Sequence, residues 1–492
     1  MAIANVQSLS IEQTCQVQVK RKSQKKPNGY NLPLLNRIVE FYNPAVALIC
    51  LKLIRMAMQK LLKNSVCTLA CLLLGMVSLS TQAVDVSLSG YGTMGYAISD
   101  KDYTYQRYID NKGSFERDTL FGAQLNAQFN PAWSATLQVQ AAPPALLSDH
   151  PNWQPTLTWA FLSYRPADDW LFRVGKLRIP FYLHSENANI GTTYAPARLP
   201  VEVYASASTV NFIGASFAKT WQLNDNEFIL DGYWGNAVKE SWRFYARDPG
   251  NVLTKNGAAG EFFAPLVIES KGLRLSLNRD GNTFLAGMHF ADTTARNGTT
   301  LGPSTYVPAP AGGCAPIGIP PAFIGNYYCP AANGPSSIKT VTTNFGASID
   351  LGNGFRTIGE YVRRKNEGST LSPDSKGFYL SLQKEIGHWT PYLTYAKLTT
   401  KNRDLYQAVN SAQTIIPAVN DLQRNLADTM VVYDQNTWAL GTAYSLSINS
   451  KIKAEWSVVE TGIASSFIDA PPGGKSGDQR INMFSLSYNF TF

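Results

Sequence analysis

The chain has 492 residues, is rich in glycine, tyrosine and phenylalanine, and contains no run of about 18 apolar residues that could cross a bilayer as a helix. Its formal net charge of +8 suggests an acidic partner, but ten of the 43 basic and only two of the 35 acidic residues fall in 1–83. The other 33 basic and 33 acidic residues balance. Charge therefore gives no argument for nucleic acid as a partner.

Residues 56–83 are predicted to be a secretory signal peptide. Two lysines follow the methionine start, and an apolar core runs from Leu69 to Leu79. The small residues Thr81 and Ala83 then occupy the positions that a signal peptidase needs. The alternative is a buried helix. No amphipathic helical pattern follows, however, and a strand-like segment begins at Val84.

Residues 1–55 precede a complete export signal. We interpret them as a start-site overextension or an unstructured N-terminal extension. A second apolar segment, Asn43–Ile54, leaves open a genuine N-terminal anchor. The domain expected to fold is therefore 84–492.

The stretch SGYGTMGYAISD, at 89–100, contains the glycine spacing Gly90-x-Gly92-x-x-Gly95. A dinucleotide-binding turn would need a helix opening at the third glycine and an acidic residue about 20 positions later. No helical apolar period follows here. An alternation of period two continues through the stretch instead, which is typical of a strand with glycines at positions of tight curvature or close backbone approach. The pattern predicts a barrel strand and no cofactor.

Period-two alternation recurs along the rest of the chain and predicts about 16 strands. These are 84–98, 115–129, 132–140, 156–165, 169–177, 209–221, 226–236, 264–277, 281–291, 338–351, 354–365, 374–386, 389–400, 434–447, 450–463 and 480–492.

The connections between these strands alternate in length. Short ones carry turn residues, as in PADD at 166–169 and NRDGN at 278–282. Every second connection is long: 99–114, 141–155, 178–208, 237–263, 292–337, 366–373, 401–433 and 464–479. This layout is typical of an all-β transmembrane antiparallel barrel, which satisfies every backbone group in lipid without a free edge. A barrel of this strand number encloses an aqueous channel.

The last strand shows the two faces that such a barrel needs. In INMFSLSYNFTF the aromatic and aliphatic residues share one face, and serine, asparagine and threonine occupy the other. We expect the apolar face to contact lipid and the polar face to line water.

Cys314 and Cys329 are the two cysteines after the predicted cleavage point, with fourteen residues between them. In an exported protein such a pair predicts a disulfide. A metal site is the alternative, but no histidine or second cysteine pair is nearby.

The predicted strands, the terminal Phe492 and the segment Arg173–Tyr204 resemble the Gram-negative outer-membrane porin family. The resemblance implies that the third long connection folds into the lumen as a constriction loop. It also implies that the outer-membrane assembly machinery reads Phe492 and that the protein forms homotrimers.

A pore selects by its diameter and by the charges at its narrowest ring. The charged residues expected at the constriction are Arg173, Lys176, Arg178, Glu186, Arg198 and Glu202. Those expected to face them from the pore wall are Arg117, Arg274 and Arg356. Four basic and two acidic residues at the constriction predict a mild anion preference. The alternative for each residue is an ordinary solvated surface charge.

The function predicted from these features is passive diffusion of ions and small hydrophilic solutes across the outer membrane. No cofactor or metal is implied. One alternative is a barrel enzyme, for which the segment HSEN at 184–187 is the one candidate cluster, with its neighbouring side chains expected to point apart on extended backbone. Another is an adhesin or receptor that uses its long connections.

Overall fold

The computed structural model describes residues 84–492, except for 145, 147–148, 150–152, 208 and 252–253. The predicted extension at 1–55, the predicted signal peptide at 56–83 and His150 lie outside the described residues. Among the helices that are described, none has the length and apolar character needed to cross a membrane.

Sixteen strands of the described chain form one closed antiparallel barrel. They are β1 (Asp85–Ser99), β2 (Leu120–Gln128), β3 (Trp133–Ala141), β4 (Thr156–Ala167), β5 (Trp170–Arg178), β6 (Asn211–Leu223), β7 (Asn226–Ala246), β8 (Gly260–Arg279), β9 (Asn282–Ala295), β10 (Ser337–Gly352), β11 (Phe355–Glu367), β12 (Ser375–Lys384), β13 (Trp389–Thr400), β14 (Tyr433–Ser447), β15 (Ser450–Ser465) and β16 (Arg480–Thr491). Each strand pairs with its neighbours in sequence, and β1 pairs with β16 to close the barrel.

The predicted strand order and the alternation of short and long connections are confirmed, and most strand ends lie within two or three residues of the prediction. Two predictions were wrong in detail. The second strand begins at Leu120 rather than 115, because a turn holds the preceding residues, with the Thr119 N–H donating to the Phe115 carbonyl at 3.2 Å. Much of the predicted loop at 237–263 is paired strand, because β7 and β8 continue past a register shift at Ala237.

The outer face of the barrel is apolar. Leu88, Leu273 and Leu486 lie on this face and are 68%, 53% and 46% exposed. In water such a surface would favour association, whereas in a bilayer it contacts acyl chains. The inner face carries the alternate residues, and on β16 these are Ser485, Ser487 and Asn489. The predicted inside-out pattern is confirmed.

The three glycines of the first strand are explained by close approach. A Cβ at Gly90 would lie 2.3 Å from the ring of Phe492, and one at Gly92 would lie 2.5 Å from the ring of Phe490. At Gly95 it would lie 2.4 Å from the Cβ of Asp118. The glycines therefore admit the terminal aromatic rings on the outside of the closing seam and one carboxylate on the inside.

Aromatic residues cluster on the outer face near the short turns. Trp133 stacks on Tyr164 with ring centroids 4.4 Å apart, and Trp389 packs against Tyr444 at 4.7 Å. Rings in this position suit the interface between acyl chains and headgroups, where one edge of the ring is apolar and the other is wet.

The long connections contain short elements of their own. The helices are α1 (Val201–Tyr204), α2 (Pro321–Ile324), α3 (Arg403–Asn410) and α4 (Pro417–Ala427). There are 3-10 turns at Gly191–Thr193 and Lys255–Gly257. Two-residue or three-residue strands pair Thr104–Tyr105 with Ile468–Asp469 and Tyr306–Pro308 with Tyr328–Pro330.

Cys314 and Cys329 form the predicted disulfide within the fifth long connection. The buried Cys329 packs in a small apolar cluster with Ile324, Tyr327 and Val419 of α4. The carboxamide of Gln423 also bonds both backbone groups of Tyr328, at 2.8 and 3.1 Å. The fifth and seventh long connections are thereby joined.

Candidate functional site

The connection between β5 and β6, described for residues 179–207 and 209–210, lies inside the barrel. We call it the inner loop. Its backbone and side chains bond to groups on the inner faces of widely separated strands. The Asn189 carboxamide donates to Gln140 of β3 at 2.6 Å, and the Lys453 ammonium of β15 donates to the Pro196 carbonyl at 2.8 Å. These bonds place the loop across the lumen, as predicted.

Glu360 of β11 fixes the start and the end of the inner loop together. One oxygen of its carboxylate accepts from the Leu183 N–H at 2.8 Å. The other accepts from the hydroxyls of Tyr204 at 2.6 Å and Tyr379 at 2.9 Å. Glu360 is 3% exposed, so three donors satisfy a carboxylate that has almost no access to solvent.

Arg198 anchors the middle of the inner loop through a bidentate ion pair. Its Nε and Nη2 atoms each lie 2.7 Å from an oxygen of Asp118, and Nη2 also donates to Ser485 Oγ at 2.8 Å. Burial raises the pKa of Asp118, but the adjacent Arg198 guanidinium outweighs that effect and leaves the pKa below its ordinary value. The pair is stabilised in its charged form.

Glu202 of α1 is buried against the wall of β14. Its carboxylate accepts from Gln435 Nε2 at 2.7 Å and from Thr437 Oγ1 at 2.5 Å. Burial raises the pKa of this carboxyl, and the two hydrogen bonds offset part of the rise. Since Glu202 is 1% exposed, it holds the loop and contacts no passing solute.

Apolar contacts complete the attachment of the inner loop. Ile179, Phe181 and Val203 pack in one cluster with Val362 and Ile358 of β11. The loop is therefore fixed along one side of the barrel by burial of apolar groups as well as by its polar bonds.

A groove open to solvent, with about 610 Å³ of space not filled by protein atoms, remains between the inner loop and strands β4 to β7. We call it the passage. Its lining includes Trp159, Phe161, Arg173, Arg178, Glu186, Ser216 and Asp231. Arg173 Nη1 on the wall lies 3.7 Å from Glu186 Oε1 on the loop. The wall and the loop thus contribute one charge each to an ion pair that lines the passage.

Arg274 of β8 reaches this region through Asp231. Its Nε and Nη2 atoms donate to one oxygen of Asp231 at 3.0 and 2.7 Å. The structure therefore brings four of the predicted residues together, which are Arg173, Arg178, Glu186 and Arg274. Arg178 also bonds the Ser185 carbonyl at 3.1 Å, which fixes the first turn of the loop.

The other predicted residues lie elsewhere. Arg117 donates to Gln106 at 3.1 Å beside the Arg198–Asp118 pair. Arg356 is near the short turns, 3.5 Å from Asp350. Lys176 donates to the Leu157 carbonyl at 2.7 Å on the neighbouring strand, and it pairs in register with Ile213, which is exposed on the outer face.

Three important residues were absent from the sequence prediction. Asp231 and Glu360 lie on the inner faces of predicted strands, so the alternation alone could have identified them. Asp118 lies in the first long connection, and its partner Arg198 is 80 positions away. No local pattern could have indicated that pairing.

The histidines offer no catalytic arrangement within the described residues. The segment HSEN at 184–187 is a turn rather than extended backbone, because the Ser185 hydroxyl accepts from the Tyr182 N–H at 2.7 Å. Burial lowers the pKa of His184 to about 4, and its ring packs on Tyr194. In the part of the chain that is described, no His, Cys, Asp and Glu cluster could hold a metal.

No protein-family model matches the sequence, and a search of curated proteins finds no relative. Three solved structures are among those similar to this chain. OmpT of Vibrio cholerae is 12% identical with a TM-score of 0.46, over 84% of this chain and 99% of that one. OmpF of Salmonella typhi in complex with daunomycin is 10% identical with a TM-score of 0.46, over 83% and 97%. An anion-selective porin from Comamonas acidovorans is 10% identical with a TM-score of 0.44, over 83% and 100%. Because these scores lie below 0.5, the barrel assignment rests on the strand pairing of this chain.

Proposed function

We propose that this chain is an outer-membrane porin, a water-filled channel for passive diffusion of ions and small hydrophilic solutes. One observation carries the proposal. A closed barrel with an apolar exterior holds an inner loop against one side and leaves a charged passage beside it. An apolar exterior suits lipid, and a polar interior with charged walls suits hydrated solutes.

The charges at the passage support a mild anion preference. Arg173, Arg178 and Arg274 contribute three guanidinium groups, and Glu186 and Asp231 contribute two carboxylates. Arg173 on the wall and Glu186 on the loop form an exposed ion pair, which adds a local field at the side of the passage. The excess of one positive charge attracts anions weakly.

Conductance in planar bilayers tests the proposal. Purified 84–492 is expected to give stepwise, ohmic openings. In a salt gradient, the reversal potential is expected to have the sign that indicates anion selectivity. Heat-dependent mobility in gels shows beforehand that the barrel is folded. A folded barrel that conducts no ions in a bilayer would contradict the proposal.

Export and assembly form the second part of the proposal. The signal at 56–83 is removed after Ala83, the assembly machinery recognises Phe492, and three copies associate. Phe492 is 66% exposed on the outer face, and its N–H donates to the Gly90 carbonyl at 3.0 Å. The measured mass of the mature protein is expected to equal that of a chain that begins at Val84. An intact N-terminus in the outer membrane would contradict this part alone.

A further inference from the structure

A second cavity lies at the end of the barrel that carries the long connections. We call it the vestibule. It encloses about 1140 Å³ of space open to solvent, and Ala205 and Ser206 of the inner loop form part of its boundary. Apolar side chains make up much of its wall, among them Trp242, Phe244, Leu398, Tyr406, Met430 and Phe467.

Four arginines line the vestibule, and carboxylates neutralise three of them. The paired ones are Arg107 with Glu261 at 3.1 Å, Arg243 with Asp469 at 2.6 Å and Arg247 with Asp428 at 2.5 Å. Each pair joins residues that are far apart in sequence. These three arginines therefore serve to hold the long connections together around the mouth.

Arg364 of β11 is the fourth, and its surroundings differ. Its Nη2 donates to Ser372 Oγ at 3.3 Å, while its Nε is buried without a hydrogen-bond partner. Within the described part of the chain, no carboxylate oxygen lies within 4 Å of it. The nearby Asp374 is occupied by the Lys401 ammonium at 2.8 Å and by the Asn366 N–H at 3.0 Å.

A guanidinium in this setting is a binding group for an oxyanion. Its planar donors match the two oxygens of a carboxylate, and charge-assisted hydrogen bonds are the stronger kind. Hydroxyl groups of Ser372, Ser375 and Thr400 line the same cavity. Because the Arg364 guanidinium carries one unneutralised positive charge, it can balance the charge of one ligand carboxylate. The apolar walls favour a ligand with an apolar body over an inorganic ion.

We propose that the vestibule binds small organic monoacids, with Arg364 holding the carboxylate and the apolar wall contacting the rest of the molecule. The site deepens the proposed channel function, since such an acid would be held at the mouth before it reaches the passage. The binding itself does not depend on conduction, so the two proposals can fail separately.

Isothermal titration calorimetry of the folded 84–492 barrel in detergent tests the site, with benzoate as the probe. Benzoate is expected to bind to the native barrel, and benzamide, its neutral analogue of similar shape, is expected to bind at least tenfold more weakly. Arg364→Gln is expected to weaken benzoate binding at least tenfold. Heat-dependent gel mobility verifies that each variant is folded.

Arg363→Gln is the matched control, because Arg363 is adjacent in sequence and lies on the opposite face of the same strand. It is expected to bind benzoate as the native barrel does. Equal binding of benzoate and benzamide, unchanged binding in Arg364→Gln, or an equal loss in Arg363→Gln would each overturn the proposal.

Discussion

The two sides of the barrel interior are built from the same alternating strands but differ in what covers them. On the side of β10 to β16, which we call the sealed side, most inner-face groups are buried against the inner loop or bonded to one another. A smaller groove with about 480 Å³ of unfilled space remains there beside Arg198 and Thr394. Ser381 and Asn344 are each 1% exposed there. On the side of β4 to β8, the open side, Arg173 and Glu186 retain 34% and 60% side-chain exposure.

The difference shows that alternation makes an inner face polar but does not decide which inner-face groups stay exposed. That decision depends on where the inner loop finds partners. Glu360, Asp118 and Glu455 lie on or beside the sealed side, and each carboxylate is bonded by an arginine, a tyrosine or a backbone N–H. The charges of the open side are also paired, Arg274 with Asp231 at 2.7 Å and Arg173 with Glu186 at 3.7 Å, but the second pair keeps its exposure to the passage.

The largest expected effect comes from Arg198→Ala. It removes both short hydrogen bonds to the buried Asp118 and leaves only the Arg117 guanidinium, 3.8 Å away, beside that carboxylate. Breaking a buried ion pair in this way typically costs about 3–5 kcal/mol, and the remaining Arg117 places the expected cost at the lower end. The inner loop is expected to leave the sealed side, which gives a lower thermal unfolding temperature and noisy, enlarged conductance steps. Differential scanning calorimetry and single-channel recording measure the two effects.

The double variant Arg198→Ala with Asp118→Asn is the control for this prediction. Removing the carboxylate charge that Arg198 no longer neutralises is expected to recover part of the lost stability. If the double variant loses as much stability as the two single variants lose together, the ion pair does not anchor the loop.

Glu360→Gln is expected to have the next largest effect. The amide retains one acceptor oxygen and places an NH2 group against a donor, so at least one of its three bonds is lost. A buried donor left without a partner costs about 1–3 kcal/mol. Thermal unfolding is expected at a lower temperature, with flickering of the open channel. Glu385→Gln removes the same charge at an exposed position in a short turn and serves as the matched control. An unchanged Glu360→Gln channel would refute the anchoring role.

Arg173→Glu is expected to reverse ion selectivity while the fold remains intact. The three positive and two negative charges at the passage become two and three. The reversal potential in a salt gradient should change to the sign that indicates cation selectivity. Arg279→Glu, in an exposed short turn where Arg279 pairs with Asp280, should leave the potential unchanged. The same shift in both variants would mean that the passage charges do not select.

Lowering the pH is expected to weaken the attachment of the inner loop to the sealed side, over a narrow pH range. Asp118 has a pKa below its ordinary value of 3.8 because Arg198 stabilises the carboxylate, although burial works against this. A lowered pKa contributes stability that is present above the ordinary value and lost as pH falls through the lowered one. Conductance noise should therefore rise below about pH 4. An Asp118→Asn channel that shows the same rise would contradict the assignment.

The smallest expected effect on the pore comes from replacing both Cys314 and Cys329 with serine. Closing a loop of this length adds roughly 3 kcal/mol in the chain-entropy model, but the gain concerns the fifth long connection. Limited proteolysis should cut that connection faster, while conductance stays the same. A changed conductance would show that this connection contacts the passage.

Sequence alone could predict the barrel, because the polar and apolar faces of strands such as β16 follow directly from alternation. It could also place Arg173 and Glu186 at the passage, since both lie at the junction of the fifth strand and the inner loop. It could not predict that Glu202 is buried, because its partners Gln435 and Thr437 lie more than 230 positions away. Which inner-face residues meet the loop depends on barrel closure, and period two carries no information about it.

The central claim is that water passes on the open side only. Single cysteines at Ser216 on the passage wall and at Ser381 on the sealed side test it most directly, since both are serines on inner faces. A charged, water-soluble thiol reagent should reduce the conductance of Ser216→Cys and leave that of Ser381→Cys unchanged. Modification of Ser381→Cys with loss of conductance, together with an inert Ser216→Cys, would contradict the account.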